Sequence, residues 1–408
     1  MRLAWFSPLP PIPSGIADYS AEILPLVAEQ AEVDVFTPRS NRRAFEEFPS
    51  VTIRDPGAFS RLADRYDAIF HHLGNNPHHD YVYRAARERP GIAVFHDLVL
   101  HHLISYLFAE RRPDWQTYRS LLTEEYGETG ERLLSLRKRG LFTGFEHFLY
   151  PLNAHVARRA QSIVVHSDVA REQIAEIAPD VPATVIPHHA GSPPPGVQGI
   201  TREEARQSLG LPPDAFIVGH FGFLTIPKQP AAVLRGFAHL VERRPDALLL
   251  LVGQKQVHGM ALERLIENLG LSHRVRIAGF VDLPTFYLHL KAANAVVNLR
   301  YPSAGEASGT FARALAEGRA VIVNNVGSFA GVPSDVVLKV EVDGDQAAEV
   351  GANLVRLADD SSLRGALEDR ARRYANTVLN RRSCAQLYLE VARRAAGASR
   401  VTLHEIKR

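Results

Sequence analysis

The chain has 408 residues and a mass of 45.1 kDa, with 46% apolar and 23% charged residues spread along its length, which excludes both a single small module and a disordered chain. Forty-seven Lys and Arg stand against 45 Asp and Glu, a net charge of +2, so no global field marks the protein for nucleic acid or for an acidic membrane surface, and any basic site must be local. A single cysteine, Cys384, excludes an intramolecular disulfide and a thiolate metal cluster, and fits a reducing cytoplasm.

The first apolar run, residues 3–6, gives way to a Pro-rich stretch and is too short for a signal-peptide core. The run over 247–252 falls far short of the roughly 18 apolar residues that span a bilayer. The expectation is a cytoplasmic protein whose membrane contact, if it has any, is peripheral at the inner face.

Short apolar runs alternate with longer amphipathic stretches and predict strands over 2–6, 32–36, 67–73, 92–95, 162–166 and 184–186. The Pro/Gly-rich residues 191–199 read as an interdomain linker. The rhythm then restarts with strands over 216–221, 247–252, 275–278, 295–299, 320–324 and 336–340. This alternation predicts an α/β fold of two Rossmann-like domains, residues 1–190 and 200–382. Residues 114–159 read as a helix-rich elaboration of the first domain and hold the basic triplet Arg137, Lys138 and Arg139. Apolar spacing over 383–396 predicts a terminal helix.

Three segments carry candidate chemistry. Gly15 sits at the turn from the first strand into a helix, where exposed N–H groups and the dipole favour an anion or a sugar hydroxyl. The plainer alternative is a turn glycine, and the three-glycine dinucleotide fingerprint is absent. The loop leaving the strand over 216–221 holds Gly222 and Lys228, an ammonium that suits a diphosphate or is simply a solvated charge. In the third segment, from Asn298 to Gly318, Ser308, Gly309 and Thr310 stand where a helix begins. Glu306 is placed there to accept from sugar hydroxyls, or only to complement the helix dipole.

Read together, these segments and the runs Val94 to Asp97, Val185 to His188 and Gly279 to Asp282 resemble, over nearly the whole chain, a known family. It is the retaining, nucleotide-sugar-dependent glycosyltransferases of family 4, group 1 glycosyl transferases with the GT-B fold. The resemblance implies two Rossmann-like domains facing across a cleft, the donor held mainly by the C-terminal one, and residues 383–408 crossing back onto the first domain. It implies that Lys228 holds the donor diphosphate, Glu306 contacts donor-sugar hydroxyls, and His96 stands near the anomeric centre and acceptor. By the same resemblance Gly222 and the amides of Ala307, Ser308, Gly309 and Thr310 line the donor site, and Gly15 closes over the phosphates. Two positions depart from the family pattern: Phe223 replaces an Arg five residues before Lys228, and Arg313 replaces a second Glu. The diphosphate then relies on Lys228 alone or borrows another cation such as Arg300, and a carboxylate for the ribose is missing.

Eighteen histidines, several in pairs, invite a metal hypothesis, but no HExxH helix motif appears, and no Asp-x-Asp placed after a strand is read in the chain. The expectation is a metal-independent site, without cofactor, in which fixed dipoles and a lysine stabilise the leaving diphosphate. His71, Asn75, Asn76, His78 and Asp97 are candidates for the acceptor side. The resulting expectation is a retaining glycosyltransferase moving a sugar from a nucleoside-diphosphate sugar to a hydroxyl acceptor, whether glycan, lipid-linked glycan or small molecule. Two alternatives stay open: a GT-B epimerase or hydrolase, and a sugar-nucleotide-binding subunit without catalysis.

Overall fold

The computed structural model describes residues 1–38, 50–255 and 261–406, with side chains as far as residue 397. The chain divides into two compact units: Met1–His188 with Ala304–Ala307 and Arg381–Arg408, and His189–Ser303 with Ser308–Asn380.

In the first unit, β1 (Arg2–Phe6), β2 (Glu32–Phe36), β3 (Thr52–Arg54), β4 (Ala68–Leu73), β5 (Ile92–Phe95), β6 (Ser162–Val165) and β7 (Ala183–Val185) form a parallel sheet. Its order is β3-β2-β1-β4-β5-β6-β7. All six residues of β4 are buried, as a parallel strand covered on both faces requires. Alternation along β1 and β4 sends Leu3, Trp5 and Phe70 to one face and Ala4, Phe6 and Ile69 to the other. The C-terminal helix (Arg381–Ile406) covers the first of these faces with Tyr388, Leu389 and Ala392, and Tyr388 Oη lies 2.9 Å from Tyr19 Oη on α1 (Gly15–Ala28). Beyond β5 come α2 (His101–Ser105), α3 (Trp115–Lys138) and α4 (Glu146–Leu149), which build the helix-rich insert. Strand β3 was not expected: three residues at a sheet edge leave no apolar run to read.

In the second unit, β8 (Ile217–Phe221), β9 (Leu248–Val252), β10 (Val275–Gly279), β11 (Ala295–Asn298), β12 (Ala320–Asn324) and β13 (Leu338–Val340) form a parallel sheet in the order β10-β9-β8-β11-β12-β13. Residues 191–199 do not form a free linker. Val197 is buried in this unit's core and the Ala190 amide donates to Leu379 O at 2.9 Å, so the segment packs with the second unit.

Strand order reverses between β1 and β4 in the first sheet and between β8 and β11 in the second. Open parallel sheets bind ligands beyond the carboxyl ends of their strands at such a switch point. The loops there carry Gly15 and Asn75 in one unit, Gly222 and Lys228 in the other, and, after β11, Arg300 to Thr310. Among the described residues no helix is long and apolar enough to cross a membrane.

Candidate functional site

In the second unit, Gly222 leaves β8 with φ +93°, a left-handed backbone that any side chain would strain. A Cβ built there would meet Lys228 Nζ, with Thr310 Oγ1 at 3.7 Å. The glycine therefore makes room for the ammonium. Lys228 is aimed back by a single tight turn, Ile226–Lys228, and by Gln229 at φ +52°, before Pro230 opens α5 (Pro230–Arg243). Gly222, Lys228 and Thr310 thus converge from two loops at the switch point.

Thr310 lies in the first turn of α6 (Gly309–Ala316), whose N-cap is Ser308. Ser308 Oγ accepts from the Phe311 amide at 3.2 Å, from Arg300 Nη2 at 3.4 Å and from Asn298 Nδ2 at 3.5 Å. The cap oxygen is spent on the fold, so a ligand at this helix start meets amides and cations. Beneath them, His220 Nδ1 donates to Val297 O at 2.9 Å, which leaves Nε2 as a buried lone pair. Burial first, then the charges of Lys228 and Arg300, push the His220 pKa down to about 4. The ring is neutral at pH 7, and two cations stand over it. Arg313, where the resemblance places a carboxylate, is buried on α6.

The short segment Ala304–Ala307 packs with the first unit. The Leu98 and Val99 amides donate to Ala304 O at 2.7 and 3.3 Å, and a Cβ on Gly305, at φ +75°, would meet Leu98. Glu306 Oε2 accepts from the Ala304 amide at 2.6 Å, so its own loop orients the carboxylate.

At the carboxyl edge of the first sheet, Ser14 caps α1, and Gly15 is exposed with open space where a Cβ would sit. Next to it lies a directed chain of imidazoles. His166 Nδ1 donates to Ile186 O at 2.8 Å; its Nε2 must then accept from His96 Nδ1 at 3.0 Å, and His96 Nε2 from His72 Nδ1 at 2.9 Å. The chain ends at His72 Nε2, a buried atom with no hydrogen-bond partner among the described residues, on a ring stacked 4.2 Å from Trp5. Burial first and the neighbouring imidazoles second hold His96 and His72 well below the usual histidine range, so the chain is neutral. Asn75 ties the edge together: its amide donates to Asp97 Oδ2 at 2.9 Å, its Nδ2 to His102 Nδ1 at 2.7 Å, and its Oδ1 accepts from the Leu103 amide at 3.1 Å.

Parts of the chain are similar to known proteins. Residues 201–374 match the family model of glycosyl transferases group 1. The matched region contains Gly222, Lys228, Glu306 and Thr310. The D-inositol 3-phosphate glycosyltransferase of Corynebacterium urealyticum is 31% identical over 188 residues, 44% of this chain and 43% of that one. Its counterpart in Saccharomonospora viridis is 30% identical over 266 residues, 62% and 59% of the two chains. The chain spans about half the length of these relatives. The crystal structure of HepE from Anabaena in complex with UDP-glucose superposes with a TM-score of 0.66 at 16% identity, covering 96% of this chain and 98% of that one. This likeness shows the fold: two Rossmann-like domains of the GT-B class.

The group 1 region thus contains the glycine, lysine and helix start that the sequence singled out. His71 lies apart from the imidazole chain: it faces Phe6 on the opposite side of the sheet, is 1% exposed, and donates through Nε2 to Arg89 O at 3.0 Å. His78 is exposed, with its amide bonded to Asn76 Oδ1 at 3.0 Å. Sequence reading missed His72 and His166, which contact His96 from 24 and 70 residues away, and Asn324, whose Oδ1 accepts from the Arg300 amide. It also passed over one Asp-x-Asp, Asp343 to Asp345, three residues past β13. There Asp345 Oδ1 accepts from the Ala348 amide at 3.1 Å as a helix N-cap.

Proposed function

We propose that the chain is a retaining glycosyltransferase of family 4 that moves a sugar from a nucleoside-diphosphate sugar to a hydroxyl acceptor. The observation that carries this reading is the convergence of Lys228 Nζ, Gly222 and Thr310 at the switch point of the group 1 region. A lysine, a second cation and a helix start form a site for a dianion, and the diphosphate is the charged part of such a donor. The names of the relatives support a hydroxyl acceptor, and HepE supports a UDP-sugar as the first donor to try.

In this reading the bond from the anomeric carbon to the diphosphate oxygen loosens first and the electron pair leaves with the diphosphate. Lys228, Arg300 and the amides at the start of α6 stabilise that charge without a metal ion. The acceptor hydroxyl attacks from the same face and its proton passes to the leaving phosphate oxygen, so no protein nucleophile takes part. Glu306 holds donor-sugar hydroxyls. His96, neutral and bonded through both ring nitrogens, supplies a fixed wall that orients the sugar and excludes water. Asn75 and Asp97 belong to the acceptor side, and the protein works in the cytoplasm or against the inner membrane face.

The test is incubation with UDP-glucose and other nucleotide sugars, with and without a pool of hydroxyl acceptors, following the anomeric proton by NMR. Acceptor-dependent product with retained configuration, unchanged by a chelator, is the expected result. Rapid donor loss without acceptor supports a hydrolase or epimerase instead, and binding without turnover on any acceptor supports a binding subunit.

A further inference from the structure

The insert that follows β5 carries a surface the transfer reaction does not use. Of the large apolar side chains that stay exposed, four lie within 14 residues of sequence: Leu136 at 38%, Leu141 at 60%, Phe145 at 56% and Leu149 at 73%. Leu141 returns onto Leu136 through its amide, which donates to Leu136 O at 2.9 Å, and Phe145, the N-cap of α4, stands one helical turn from Leu149 at its end. The turn is seated on aromatic rings from below. Phe142 lies under the Arg137 guanidinium at 4.7 Å, and the His147 ring packs on Phe142, His101 and His102 at 4.9, 4.7 and 4.1 Å. The buried residues hold the turn so that Leu141, Phe145 and Leu149 face outward.

The charges around this knob lean positive. Glu110 is paired with Arg137 at 2.6 Å, whereas Asp114, capped onto the Thr117 amide and hydroxyl at 3.0 and 2.7 Å, and Glu146, on the Thr143 and Gly144 amides at 3.0 and 2.9 Å, stay ionised but point their oxygens into the turn's own backbone. Arg112, Lys138 and Arg139 are exposed, and none forms an ion pair among the described residues. Lys138 instead rests over the Trp115 ring at 5.4 Å, which places it beside the start of α3 and Arg112. An apolar knob with the exposed cations Arg112, Lys138 and Arg139 close to it in the chain is locally complementary to an anionic lipid surface, although the net charge of the whole protein is only +2. A second copy fits less well, because a two-fold contact would set the same cations against each other.

We propose that the turn from Leu136 to Leu149 docks on an anionic bilayer, with Leu141, Phe145 and Leu149 entering the interface and Arg112, Lys138 and Arg139 at the headgroups. This deepens the peripheral placement given above and rests on that placement alone, because vesicle binding is read without turnover. The docking face also leads to the acceptor edge: Phe148 meets the His102 ring at 5.2 Å, and His102 is bonded to Asn75. A docked protein therefore presents that edge to a lipid-anchored hydroxyl acceptor.

The experiment is sedimentation of the full chain with vesicles of phosphatidylglycerol in phosphatidylcholine and with phosphatidylcholine alone, across a salt series. It compares wild type, Phe145→Ser with Leu149→Ser, and Arg112→Glu with Arg139→Glu, with Trp115 emission as a second readout. The expected result is salt-sensitive binding of wild type to the anionic vesicles only, a blue shift of Trp115, and roughly tenfold weaker binding by each double variant at an unchanged thermal midpoint. No binding by wild type, or equal binding by all three proteins, overturns the proposal. Lipid-free self-association that the Phe145/Leu149 variant abolishes also overturns it, in favour of a second copy. Should the apolar variant unfold, the charge-reversal variant decides alone.

Discussion

Lys228 Nζ occupies the space where a residue at 222 would carry its Cβ. The glycine is therefore required twice over, by its left-handed backbone and by the ammonium folded against it. Gly222→Ala is expected to cost about 1–2 kcal/mol from backbone strain and to displace the ammonium. In a double-mutant cycle the same substitution costs less in a Lys228→Ala background, because the displaced group is gone. Chemical denaturation of the four proteins checks this, and strict additivity speaks against the contact.

Gly15 makes the opposite prediction. A Cβ there meets nothing within 4 Å, so Gly15→Ala leaves the thermal midpoint unchanged. Donor turnover is nevertheless expected to fall, because the methyl group would intrude on a ligand approaching the start of α1. A midpoint and activity that are both unaffected would remove Gly15 from the site.

Ser308→Ala removes the cap of α6 and the acceptor that Arg300 and Asn298 share. A loss of about 1 kcal/mol of stability is expected, with Ser308→Asp recovering most of it. Urea unfolding midpoints of the three proteins measure both effects.

Burial sets His71, His79, His166 and His220 near pKa 4. Unfolded, each titrates near the ordinary value of about 6.5. Below that value the unfolded chain binds more protons than the folded one, so the stabilisation is complete above pH 7 and is lost as the pH falls from about 6.5 towards 4. Thermal midpoints measured across that window should fall steeply. A flat profile would mean that these imidazoles are not buried neutral.

Much of this architecture is legible in the chain. Parallel strands covered on both faces appear as bare apolar runs, and the loops at the switch points advertise themselves through Gly222, Lys228 and the cluster of small residues ahead of α6. What escaped depends on tertiary proximity. The tautomer of His96 is set by His166 and ultimately by Ile186 O, a relationship that no local spacing encodes. The two neighbours His71 and His72 part ways because adjacent residues in a strand face opposite sides: His72 joins the imidazole chain, whereas His71 packs near Phe6. Residues 191–199 have the composition of a linker, yet Val197 buries itself in the second unit, and the second aspartate of the Asp-x-Asp after β13, Asp345, caps a helix.

The central claim is that Lys228, Gly222 and the start of α6 hold the diphosphate of a donor. The most direct measurement is a thermal-shift titration of UDP, GDP, ADP, CDP and dTDP against wild type and Lys228→Ala. At a hundred times its dissociation constant a ligand contributes about 2.7 kcal/mol, enough to move a midpoint visibly. One nucleoside diphosphate should stabilise the wild type and leave the variant unmoved. Equal stabilisation of both proteins, or stabilisation by none of the five, would contradict the claim.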